Sequence, residues 1–270
     1  SNLVREKAKE VLSSIKIVEE FDFIFAKAAM AIERNYDEPE ISDNQSFNLK
    51  RARHPLIPGN EVVPIDINLG EKFRTLIITG PNTGGKTVTL KTCGLLVAMT
   101  YCGLHIPSDE NTKIGFFADI LADIGEEQSI EQSLSSFSSH LSNIIHILKL
   151  ANKNTLVLLD ELGAGTDPDE GAALGMAIIS YLHREEVPQI ITTHLSQIKS
   201  FAYNHDEAEN ACVGFDLESL KPTFKVLIGV PGQSHAFQIA KRLGLPQDLI
   251  ESAEKFIGKK ELEVKALIDG

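Results

Sequence analysis

Residues 73–87 read FRTLIITGPNTGGKT, and the reading of this stretch decides the fold. The apolar run LIIT stops at a glycine-rich turn, and TVTLKTCGLLVAMTY (87–101) continues as a helical pattern. The turn matches G-x-x-x-x-G-K-[ST], and a strand before it with a helix behind it is the context that makes a phosphate-binding loop. Glycines 80, 84 and 85 let backbone N–H groups turn inward, and the helix start adds partial positive charge. Lys86 is placed to reach β- and γ-phosphates, and the Thr87 hydroxyl to ligate Mg2+. The expected nucleotide cradle is Gly80, Pro81, Asn82, Thr83, Gly84, Gly85, Lys86, Thr87 and Val88.

Two other apolar runs end in chemistry. LVLLDE (156–161) delivers two acids at the carboxyl end of a strand, where ligands sit in open α/β sheets. Adjacent carboxylates in a strand point to opposite sides and take different tasks. Asp160 is expected to support Mg2+ through its water shell, and Glu161 to orient or deprotonate the attacking water. TTH (192–194) ends a neighbouring strand, which puts His194 within reach of a γ-phosphate. Between them, GAGTDPDEG (163–171) reads as a tight loop in which Asp169 caps the next helix. Asp167 is expected on an interface beside the nucleotide of a second subunit.

Residues 133–140, SLSSFSSH, carry five serines in front of the helical pattern LSNIIHILKLA. One serine suffices for an N-cap. A phosphate loop, an acid pair and a histidine define an ATPase of the ABC kind, whose γ-phosphate is covered by a helix tip from a partner. Such a tip needs small residues, open backbone N–H groups and hydroxyl donors. Ser135 and Ser136 are the expected contacts in trans.

The 270 residues are 43% apolar, with a formal charge of −12 and a pI near 5.1. That acidity disfavours direct grip on a nucleic-acid backbone. Three cysteines without a CxxC pair read as buried reduced thiols of a cytosolic protein. Without a secretory h-region or a bilayer-length apolar run, the expectation is a cytoplasmic protein with no membrane partner. Val4, Ala8, Val11, Ile15, Val18, Phe25, Ala29 and Ile32 mark one long helix or two stacked ones, already running where the chain begins, which suggests a piece of something longer. YDEPEISDNQS (36–46) reads as a linker or surface loop. Strands are expected at 62–69, 73–79, near KIGFFADI (113–120), at 155–160 and at 189–194, with a helix at 169–184, a hairpin over 211–229 and helix from 234 to 260. Apolar runs without alternation, separated by helices, suit a parallel sheet buried on both faces. The expected fold class is α/β, a P-loop NTPase of ABC type: a mainly parallel sheet flanked by helices, with an antiparallel β element, preceded by a helical segment. The expected divisions are a helical segment and linker (1–47), the ATPase domain (48–258) and a helical tail (259–270).

ARHPL (52–56), ITGPNTGGKT (78–87), LHIPSD (104–109), DIGEEQSIEQSLSSFSSHL (123–141), LLDELGAGTDPDEG (158–171) and TTHLSQIK (192–199) stand in an order that resembles the ATPase domain of the MutS family over roughly residues 50–258. GGKTVTLKT, LSSFSSH and GVPGQSHAFQIA (229–240) look like its second bacterial subfamily, MutS-two. The resemblance implies a Mg2+-dependent ATPase, a homodimer with composite ATP sites, and levers that end in nucleic-acid clamps. Residues 1–34 resemble the end of those levers. It places Gln128 in the segment linking the γ-phosphate to neighbouring subdomains. The family often stacks adenine on an aromatic side chain; Val62 and Val63 occupy one usual position, so Phe224 of the hairpin is the candidate. The family's clamp region and Smr domain are not among these residues, so contact with branched DNA or with collided ribosomes falls to other parts of such a protein. The alternative is a nucleotide-gated dimerisation module with negligible hydrolysis. A membrane-transporter motor is disfavoured because the serine cluster lacks LSGGQ.

Overall fold

Apolar strands without alternation need cover on both faces, and the main sheet has it. The computed structural model describes residue 5 and residues 7–59, 61–81, 84–125, 136–232 and 236–256, with Ser136 described by its backbone alone. Asn82, Thr83, Gln128 and Ser135, named above, lie outside the described residues, as does the Ser136 side chain. In chain order the elements are α1 (Ala8–Arg34), β1 (Glu40–Ile41), β2 (Phe47–Ala52), β3 (Ile65–Leu69), β4 (Thr75–Thr79) and α2 (Lys86–Tyr101). Then come β5 (Lys113–Ile114), β6 (Asp119–Asp123), α3 (Ser136–Leu150), β7 (Thr155–Leu159), α4 (Pro168–Arg184) and β8 (Gln189–Thr192). The last are α5 (Ser196–Asn204), β9 (Ala208–Asp216), β10 (Lys221–Ile228), α6 (Ala236–Arg242) and α7 (Gln247–Phe256).

The main sheet has strand order β10-β9-β4-β8-β7-β6. Every pairing is parallel except β9 with β10, the expected hairpin. Successive side chains of a strand face opposite ways, so β4 divides its residues between two cores. Leu76 and Ile78 join Leu90, Leu96 and Val97 of α2 and the small sheet, while Ile77 joins Ile144 of α3, Ile179 of α4 and Ile198 of α5. The layering is helix and small sheet, main sheet, helices. The strand carrying the phosphate loop (β4) and the strand carrying the acids (β7) flank β8, so all three deliver their carboxyl ends to one edge.

The small sheet, β1-β5-β2-β3, is mostly antiparallel and closes the first core with Phe47, Leu49, Ile67 and Leu69. Several expectations shift here. KIGFFADI is two strands in two sheets, because the chain crosses between them at Gly115–Ala118 and buries Phe117 in the crossing. The expected linker contains β1, which pairs with β5. From Ala8 to Arg34 the N-terminal pattern is one helix with its apolar residues mostly exposed, and within α1 only Ala31 is buried; Val4 lies outside the described residues. Cys93 and Cys212 are buried as expected, burial pushing the Cys93 thiol up to about 12, whereas Cys102 is exposed at the end of α2. Among the described residues no helix is long and apolar enough to cross a membrane.

Leu158 of β7 is 1% exposed and lies against Gly94 of α2, where a Cβ would come within 2.6 Å of its Cδ1. Leu158→Ala leaves a cavity in a contact where helix and strand already touch. Equilibrium urea unfolding should show a loss of about 2–5 kcal/mol, and a loss under 1 kcal/mol would mean that α2 does not rest on this strand.

Candidate nucleotide site

The phosphate loop is shaped by its glycines and by the hairpin behind it. Gly80 and Gly85 have φ of 131° and 89°, the region that side-chain-bearing residues avoid. Gly84 N donates to Pro81 O (2.9 Å), which tightens the turn, and Thr89 N donates to Gly85 O (2.9 Å) as α2 begins. Val213 of β9 is the back wall: a Cβ on Gly80 or Gly84 would come within 2.6 or 2.5 Å of its Cγ2. Lys86 is almost fully buried, and its amine donates to Gly80 O at 2.8 Å, spanning the loop from end to start. Burial lowers the Lys86 pKa, while the charges of Glu161 and Asp160 pull it back up. A buried amine beside a backbone cradle suits an anionic ligand.

Both acids lie past the end of β7. Asp160 is buried and accepts from Thr87 Oγ1 at 2.7 Å, so the first turn of α2 is fastened to the acid strand. Its other oxygen accepts from Thr192 Oγ1. That hydroxyl in turn accepts from Glu161 N at 2.9 Å. Glu161 is half-buried with φ 47°, so the strand rule that sends neighbouring side chains to opposite faces does not govern this pair. A left-handed turn, fixed by Thr192, carries the chain on from Asp160 instead. Thr192 sits opposite Asp160 because β7 and β8 pair Leu159 with Ile191. Thr192 was within the quoted TTH, but its role is legible only from that register.

The histidine of the same motif, His194, is exposed just beyond β8. Asp167, not Asp169, caps α4: its Oδ1 accepts from Asp169 N (3.0 Å) and Glu170 N (3.1 Å). Proline at the next position enforces that start, since it needs no N–H partner there. Gly163 and Gly171 face each other so closely that a Cβ on either would meet the other's carbonyl oxygen within 2.5 Å, which folds the 163–166 loop onto α4. Val88 is exposed on α2. Phe224 reaches the loop: it has φ 57° at the β10 register shift, and its ring lies 2.9 Å from where a Gly85 Cβ would stand.

A second polar cluster joins residues far apart in the sequence. Asp123, at the end of β6, accepts from His140 Nδ1 (2.8 Å) and Asn143 Nδ2 (2.9 Å) of α3, and its backbone oxygen accepts from Asp160 N (2.8 Å). The first turns of α3 are thereby tied to the acid strand. A cavity of about 190 Å³ opens beside them, lined by His140, Asp160, Glu161, Ile144 and Leu174 among others.

The model of MutS domain V matches residues 76–262. "Endonuclease MutS2" of Caldanaerobacter subterraneus subsp. tengcongensis is 52% identical over 99% of this chain and 34% of its own length. "Endonuclease MutS2" of Clostridium botulinum (strain Eklund 17B / Type B) is 52% identical over 98% and 34%. "Putative endonuclease MutS2" of Bacillus subtilis (strain 168) is 52% identical over 97% and 34%. The chain thus spans about a third of the length of these curated relatives.

Thr192→Val removes a hydroxyl that serves Asp160 and Glu161 N at once. Stability should fall by about 1–3 kcal/mol, because buried polar groups lose their partners. A double-mutant cycle with Asp160→Asn should show coupling above about 0.5 kcal/mol; strict additivity would deny the contact.

Proposed function

The chain belongs to the MutS family through domain V, a P-loop ATPase, and on that premise we propose that it binds Mg·ATP and hydrolyses it as the switch of a longer nucleic-acid-processing protein. The observation that carries this reading is the 2.7 Å bond from Thr87 to Asp160, which brings a loop hydroxyl and a buried carboxylate together beside Lys86. These are hard oxygen donors suited to Mg2+, and the glycine loop and amine suit the β- and γ-phosphates. When bound, the cation neutralises charge on the phosphate oxygens.

The remaining work belongs to the chain. Lys86 holds the phosphates by charge. Glu161, set in a left-handed turn just after Asp160, orients the attacking water and takes its proton. His194, at the end of the strand between loop and acids, senses the γ-phosphate. Pro81, Asn82, Thr83 and Val88 complete the cradle with the loop glycines. Phe224 stacks on adenine; its place over Gly85 supports that role. Gln128 relays γ-phosphate occupancy to neighbouring subdomains.

The assembly is a homodimer in which each copy lends Ser135, Ser136 and Asp167 to its partner's nucleotide. The cytoplasmic full-length protein acts on branched DNA or on collided ribosomes through regions outside this chain, consistent with the −12 charge. Residues 48–258 are the ATPase unit, 1–47 the end of a lever and its connector, and 259–270 a tail leading onward.

Glu161→Gln should retain Mg·ATP binding and lose at least about 100-fold in turnover, and Lys86→Ala should lose binding. With Glu161→Gln, light scattering should show a doubling of mass on adding Mg·ATP. Unchanged turnover would remove Glu161 as the base. Bound ATP without turnover in the wild-type chain would favour nucleotide-gated association over hydrolysis.

A further inference from the structure

Behind the phosphate loop, hydrogen bonds close a ring that phosphate binding does not use. Thr79, the residue before Gly80, donates to Ala211 O of β9 (3.2 Å) and accepts from Gly232 N (2.8 Å). Gly232 O accepts from the amine of Lys199 on α5 (2.6 Å). Lys199 O accepts from Asn210 Nδ2 (3.1 Å), and Asn210 O accepts from Gly229 N (2.8 Å). The ring joins the root of the loop, strand β9, helix α5 and the strap 229–232 that leaves β10 towards α6.

There is no slack in it. Thr79, Asn210 and Gly232 are buried, and a Cβ on Gly232 would lie 2.7 Å from Thr79 Oγ1 and 3.0 Å from Gly80 N. The strap therefore rests on the first residue of the loop. In a close-packed contact of this kind, neither side moves without the other. Lys199 is half-buried, and burial lowers its pKa. Among the described residues no carboxylate forms an ion pair with it. Placing an ammonium there costs desolvation that an apolar side chain would avoid, so its contribution is the directed bond to Gly232. Helix α5 also begins directly after the His194 turn, so the same lysine follows both the loop and that turn.

We infer that the strap Gly229–Gly232 couples occupancy of the phosphate loop to helices α6 and α7, and that Lys199 is the positioning residue of this coupling. The inference rests on the nucleotide reading above. The test is amide hydrogen exchange over residues 236–256 of the 270-residue chain, with and without Mg·ATP, alongside a nucleotide titration. In the wild type, bound nucleotide should change exchange in this region by at least about threefold. Lys199→Met should bind nucleotide within about twofold of wild type yet lose that change. Gly232→Ala, which crowds Thr79 from the strap side, should lose it as well, and it serves if the methionine variant does not fold. Lys199→Arg, which keeps a donor, should retain it. Bound nucleotide with unchanged exchange in the wild type, or a full response in Lys199→Met, overturns the coupling; if that variant does not fold, a full response in Gly232→Ala does so. Failure of the wild type to bind overturns the nucleotide reading and the coupling with it, and the titration separates that result from the others.

Discussion

A buried carboxylate between two threonine hydroxyls organises this protein. Asp160 takes one hydrogen bond from Thr87 and one from Thr192, and Thr192 takes the backbone N–H of Glu161. A carboxylate out of water is tolerable only when its oxygens are so partnered. The requirement fixes three elements at once: the first turn of α2, the end of β8 and the turn after β7. Each would otherwise be free to drift, and together they set Lys86, Asp160 and Glu161 around one space.

Two further contacts make that space rigid from outside. The β9–β10 hairpin presses Val213 against the glycines of the phosphate loop and lays Phe224 over Gly85. On the other flank, His140 and Asn143 bind Asp123, whose backbone receives Asp160 N. Helix α3 is thus anchored through Asp123 to the strand that bears the acids.

Much of this was legible from residue order. Unbroken apolar runs gave the parallel strands, because both faces of the sheet are covered, and the glycine spacing with Lys86 and Thr87 gave the loop. What escaped depends on partners far apart in sequence. Thr192 meets Asp160 only through the register of β7 on β8. Asp123 meets His140 only once α3 lies over β6. KIGFFADI looked like one strand because its apolar residues are continuous, yet Gly115 comes so close to the Asn44 backbone that only glycine fits, and the chain changes sheets there. Asp167 outcompeted Asp169 as the cap because Pro168 sets the first helical position. The opposed-face rule failed for Asp160 and Glu161 because the strand stops one residue earlier, at Leu159.

In the proposed site, Thr87 and Asp160 frame a divalent cation on a triphosphate held by residues 80–87. The direct measurement is anomalous diffraction from crystals of the chain grown with Mn2+ and a non-hydrolysable ATP analogue. A single strong peak is expected beside Thr87 Oγ1 on the side of Asp160, with the β- and γ-phosphates inside the loop near Lys86. A peak elsewhere, or phosphates outside the loop, would contradict it.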